Sequence, residues 1–200
     1  MDSSREEAAL VAQAKEDREA FGELYERYAG KIYTYIYYRT GNAADAEDLT
    51  ARVFMRALQN IESYEDRGHA FSAWLYRIAH NLVANWHRDN SRRPTIALED
   101  LSQWRVPGSG PEDITALLED RAALLEAVRR LPADRQELLL LKFVDQLSNA
   151  EIAGVMGRSE GAIKSLYHRT LLVLRQDLQA APPRRSWRSL LRWREKENGA

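Results

Sequence analysis

The chain has 200 residues, 44 % hydrophobic and 30 % charged, a composition that suits one large or two small soluble domains. It has no cysteine, which excludes disulfides and thiolate-ligated metal centres, and its four histidines (His69, His80, His87, His168) show no metal-ligand spacing, so no cofactor is expected. The net charge of −1 hides an uneven distribution: six acids between residues 95 and 120 stand against Arg105 alone, whereas residues 182–200 carry six cations against Glu195 and Glu197.

Residues 1–7 lack the basic-then-apolar order of a secretory signal, and no run approaches the roughly 18 apolar residues of a spanning helix. A cytoplasmic protein without stable membrane insertion is therefore expected. Phe21, Leu24, Tyr28, Ile32 and Tyr35 recur at three- and four-residue steps and predict a helix that Gly41 stops. The cluster Tyr33, Tyr35, Tyr37 and Tyr38 then reads as core and rim. Asn42 is placed to cap a second helix, whose inner stripe is Leu49, Val53, Ala57, Leu58 and Ile61. A third helix is predicted from about Ser72 to Arg88, with Leu75, Ile78, Leu82 and Trp86 inward.

From Arg92 to Pro111 the chain is rich in Pro, Gly and acid, and reads as a linker. Leu124, Leu125, Val128 and Leu131 begin a second helical group; Pro132 suits the first turn of the next helix, whose core face is Leu138, Leu141 and Val144. Ser148 and Glu151 have capping-box spacing. Ser159 can cap the last helix, which runs to about Leu178. No period-2 strand appears, so the expected fold is all-α: two small helical domains joined by an acidic flexible linker.

Residues 149–168 fit a helix-turn-helix. Ile152 and Ala153 supply the apolar and small positions of the first helix, Met156 and Gly157 the turn, and Ile163 and Leu166 the anchors of the second. Arg158, Ser159, Glu160, Lys164, Ser165, His168 and Arg169 can then reach phosphates and base edges, with Arg175 further along on the backbone. In the first domain Asp45, Asp48, Arg52 and Arg56 share one helical face, a candidate docking surface. Trp74, Arg77, Asn81, Asn85 and Arg88 share a face of the third helix that combines an aromatic ring, amides and cations, as single-stranded bases require. Core packing is an equal reading for Trp74.

Residues 147–169, LSNAEIAGVMGRSEGAIKSLYHR, resemble the promoter-reading helix-turn-helix of extracytoplasmic-function (ECF) sigma factors of the sigma-70 family, and 131–136, LPADRQ, resemble the stretch that precedes it. Independently, 45–58, DAEDLTARVFMRAL, is similar to that family's polymerase-binding helix, and 71–81, FSAWLYRIAHN, to its segment that opens the −10 element. Ala51 and Arg52 depart from the polar and acidic residues usual after the Asp-Leu-Thr step.

The resemblance implies a non-enzymatic subunit that recognises −10 and −35 elements, with core RNA polymerase, promoter DNA and an anti-sigma factor as partners. It places Arg67 and His69 in a loop that captures a −10 base, adds Glu47, Leu49 and Phe54 to the polymerase-binding set, and lets the acidic linker occupy a channel that later holds RNA; a solvated tether is an equal reading of its composition. It divides the chain into a domain 2-like part (1–92), a linker (93–115), a domain 4-like part (116–179) and a basic amphipathic tail (180–200). For that tail an anionic surface, an anti-sigma partner, a folded-back helix and a disordered segment all remain open. A stand-alone helix-turn-helix regulator is the competing function, but it leaves 45–58 and the Asn81/Asn85 face without purpose.

Overall fold

The computed structural model describes residues 2–65, 70–90 and 123–180, and every regular element among them is helical. Helix α1 (Asp2–Ala14) was not signalled by the apolar pattern. Among its described side chains Leu10, Val11 and Ala14 face inward, too short a stripe to stand out before tertiary packing is known.

Helix α2 (Arg18–Thr40) starts where the Asp17 carboxylate accepts from the Glu19 N–H at 2.9 Å, and ends at Gly41. Gly41 takes the left-handed conformation at φ 67°, which glycine adopts without the Cβ clash other residues meet. Asn42 caps helix α3 (Ala43–Asn60) as expected, its side-chain oxygen accepting from Asp45 N–H at 3.0 Å. A short 3-10 turn (Ile61–Ser63) follows.

Helix α4 (Phe71–Asp89) has no capping side chain at its own N-cap, Ala70. The carboxylate of Glu7, from α1, fills that role: it accepts from the Phe71 N–H at 2.8 Å and also from the Tyr28 hydroxyl. A negative group at that end also meets the positive pole of the helix.

Residues 123–129 form helix α5, followed by α6 (Ala133–Phe143), α7 (Asn149–Met156) and α8 (Glu160–Ala180). Pro132 stands immediately ahead of α6 rather than inside its first turn. The capping box is formed in both directions: Ser148 Oγ accepts from Glu151 N–H, and the Glu151 carboxylate accepts from Ser148 N–H. Gly157 ends α7 at φ 64°.

Two compact units result. One contains α1–α4 with α6, α7 and the first two turns of α8; the other contains α5 and the rest of α8. In the first unit α2 packs on α1, α3 and α4, and α7 lies on α4. Its core holds Leu24, Ile32, Ile36, Val53, Leu75 and Val83, with Tyr35 meeting Tyr76 edge to face at 5.4 Å between ring centres. In the second unit Val128, Leu131 and Leu174 are buried.

Several positions expected inward are not core: Ile78, Leu124, Leu125 and Val144 are half-buried at the edges of their packed faces. Leu58 is 40 % exposed, because it lies about 100° around α3 from buried Ala57 and so falls off the stripe. Trp86 is half-buried rather than inside, its ring against His87 at 4.9 Å.

Candidate nucleic-acid interface

The geometry of the second motif follows from its caps. With Gly157 turning the chain and Ser159 Oγ accepting from Ala162 N–H at 3.2 Å, α8 leaves the turn as a fresh helix. Ile163 and Leu166 are buried on one side of it. Glu160, Lys164, Ser165, His168, Arg169 and Arg175 are exposed. Lys164 is bound to Glu160 at 2.8 Å, one turn earlier, both well exposed. Arg158 and Ser159 are exposed in the turn, and Arg158 is held by Asp134 of α6 at 3.1 Å. The resulting polar row of α8 stands over an apolar anchor row, the split a groove-reading helix requires.

On α4, Arg77, Asn81 and Arg88 are exposed, and Trp74 and Asn85 half-buried, along one side of the helix. Trp74 belongs to an aromatic cluster with Tyr64 (5.0 Å) and Phe71 (5.4 Å), so it packs and still presents an edge to solvent. Arg67 and His69 lie outside the described residues, as do the linker from 91 to 122 and the tail beyond 180.

On α3, Glu47, Asp48, Arg52 and Arg56 are exposed and Asp45 half-buried, with Asp48 and Arg52 paired at 2.9 Å. Leu49 and Phe54 are core residues, 2 % and 4 % exposed, and Phe54 carries Tyr25 edge-on at 4.8 Å. Sequence reasoning missed the apolar residues exposed nearby: Met55 (61 %) and Leu58 on α3, and Tyr25 (47 %) of α2 against Phe54. Met55 follows Asp48 by seven residues, two helical turns, so its place on that face was available from spacing.

A second omission is a set of buried charges. Glu137 of α6 is 3 % exposed. It pairs with Arg39 of α2, accepts from the Tyr35 hydroxyl at 2.5 Å and meets His80 Nδ1 of α4 at 2.6 Å. Burial alone would raise its pKa, but the His80 and Arg39 contacts prevail and hold it at about 2. Asp145, just past α6, accepts from the Tyr76 hydroxyl, yet burial pushes its pKa up to about 7. Neither acid stands in a helix-facing pattern that separates it from surface carboxylates.

The helices that carry these residues fall within two segments that match models of one family. Residues 24–93 match the family model for Sigma-70 region 2, and residues 121–174 that for Sigma-70, region 4. The chain belongs to the ECF sigma factors of the sigma-70 family. It is 34 % identical over 173 residues to the ECF RNA polymerase sigma factor SigW of Bacillus subtilis, covering 82 % of this chain and 92 % of SigW. It is 44 % identical over 163 residues to the ECF RNA polymerase sigma factor BldN of Streptomyces coelicolor, where the match takes in 82 % of this chain and 61 % of BldN. The fold is similar to that of the sigma factor RpoE in complex with the anti-sigma factor NepR from Bartonella quintana, with a TM-score of 0.56 at 21 % identity, over 81 % of this chain and 98 % of that one. Among the described residues no helix is long and apolar enough to cross a membrane.

Proposed function

We propose that this sigma factor directs RNA polymerase to promoters through three separate surfaces. The exposed face of α3, with Asp48, Arg52, Arg56 and the apolar Met55 and Leu58, docks core polymerase. Leu49 and Phe54 serve it from beneath, by fixing α3 on the core. The face of α4 that carries Trp74, Arg77, Asn81, Asn85 and Arg88 receives the opened −10 strand, helped by Arg67 and His69. The outer row of α8 enters the major groove of the −35 element. A division into 1–92, 93–115, 116–179 and 180–200 follows the surfaces rather than the packing units. The chain supplies recognition, the nucleotidyl chemistry belongs to polymerase, and the work is done in the cytoplasm under control of an anti-sigma factor.

The observation that carries this reading is the split of α8, where Ile163 is fully buried while Lys164 is 62 % exposed beside it. A regulator acting alone would use that helix equally well. The region 2 match, however, covers residues that such a regulator does not need. Transcription in vitro with core polymerase on a promoter library tests the proposal. Transcripts that depend on the chain support it; specific duplex binding without polymerase, and no transcript with it, refutes it.

A further inference from the structure

Helix α1 reaches both sides of the stretch that leads into α4. Lys15, immediately after the helix, donates from Nζ to the Tyr64 carbonyl at 2.7 Å, and Glu7 accepts from the Phe71 N–H at 2.8 Å through Oε1. The other carboxylate oxygen of Glu7 accepts from the Tyr28 hydroxyl of α2, which fixes how the group is turned. Both side chains are half-buried, so water competes weakly for these bonds. Tyr64 and Phe71 meet edge to face at 5.3 Å between ring centres, and Trp74 lies against both, at 5.0 and 5.4 Å.

One helix thereby sets the separation of two backbone points. From Glu7 to Lys15 the helix advances about 12 Å, at roughly 1.5 Å per residue. Trp74 follows Phe71 by about one helical turn, so whatever fixes the Phe71 backbone also fixes where the indole edge stands. No side chain caps α4 at Ala70, and its first turn depends on Glu7. The apolar stripe of α1 is enough to cover the core; its two polar contacts go instead to the backbone on either side of residues 65–70. We infer that α1 is a positioning element for −10 recognition: Glu7 and Lys15, acting through Phe71 and Tyr64, set the place of Trp74 and of the first turn of α4 against the opened strand. The inference rests on the promoter reading of α4 proposed above.

Positioning of this kind is separable from stability. Loss of one helix cap is a factor of about five in an equilibrium wherever the helix lies. What differs is the part that is freed. At α4 it is the aromatic edge that meets the bases; at another helix it is not. Asp17 provides the comparison, since its carboxylate caps α2 through the Glu19 N–H in the same packed unit. The docking face of α3 supplies no part of the clamp, so polymerase binding is left as it was.

The test uses the full chain with core polymerase, on promoters whose −10 element is randomised and whose −35 element is constant. Glu7→Ala and Lys15→Met are each expected to lower permanganate reactivity of the −10 strand about fivefold and to relax the sequence selected there, at the core affinity of the wild type. Glu7→Gln is expected to restore both, because its amide oxygen still accepts from the Phe71 N–H and its NH2 can donate to the Tyr28 oxygen. Asp17→Ala is expected to melt and select as the wild type does. Two results overturn the inference: Glu7→Ala and Lys15→Met melt and select like the wild type, or Asp17→Ala loses as much as they do, which makes the effect one of stability. If the wild type itself melts no −10 strand, the promoter reading of α4 fails and takes the inference with it. That outcome is distinct from failure of the clamp alone, in which the wild type melts normally.

Discussion

Lys164 shows how a recognition side chain is held ready. Its ammonium pairs with Glu160 across one exposed turn, a contact worth a few tenths of a kcal/mol, so exchanging it for a base edge costs little. A good base contact is worth about 1–3 kcal/mol at one position, whereas a phosphate contact acts on all sequences alike. Selection on a randomised −35 library is expected to return a different preferred sequence for Lys164→Ala. Arg175→Ala is expected to lower activity on every sequence and to flatten the salt dependence. An unchanged selected sequence for Lys164→Ala would remove that side chain from base readout. Glu7 acts at the same scale on stability. Glu7→Ala leaves the first turn of α4 uncapped and should cost about 1 kcal/mol, read as a lower urea midpoint with unchanged slope.

At the scale of elements, the face that a helix leaves exposed decides its use. Reversing charge at Asp48 and Arg56 together should weaken binding of core polymerase while far-UV helicity stays intact, since both side chains are exposed and neither supports the core. Replacing Asn81 and Asn85 by Ala should reduce permanganate-detectable melting at the −10 element without loss of polymerase binding. Normal melting would place strand readout elsewhere.

Elements were legible from sequence where a local signal sets them. Asn42, Ser148 and Ser159 cap from their own side chains, and Gly41 and Gly157 take left-handed backbone, so the ends of α2, α3, α7 and the start of α8 follow from nearest neighbours. The cap on α4 was not legible, because Glu7 comes from 64 residues away. Leu58 was assigned to the core from its character, though its angular position on α3 already placed it outside. Glu137 resembles any charged residue near a helix start; only the meeting of α2, α4 and α6 reveals it as buried.

For the whole molecule, the order of the two motifs was readable and their packing was not, since which helices share a unit depends on contacts between residues 57 to 102 positions apart. That packing carries a pH dependence. Asp145 is raised from its ordinary 3.8 to about 7, so the folded unit takes up a proton that the unfolded chain releases. Its contribution is fully present below about pH 4 and is lost as pH rises to about 7. Glu137, lowered from 4.5 to about 2, contributes above pH 4.5 and is lost only as pH falls toward 2. Tyr76 and Lys31 face Asp145 from α4 and α2, and Glu6, Glu7 and Arg27 line the same cleft. Between pH 5 and 7 the stability of the packed unit should therefore fall as pH rises, and Asp145→Asn should flatten that slope in thermal melts. An equal slope in the variant would assign the dependence to another group.

The measurement that bears most directly on the sigma-factor account is run-off transcription with core polymerase on a library randomised through both promoter elements. The account predicts transcripts only when this chain is added, each preceded by two selected sequences at a fixed spacing, with Lys164→Ala altering the upstream one alone and the Asn81/Asn85 double variant affecting the downstream one. Transcripts that carry a single selected sequence, or that form equally well without the chain, would contradict it.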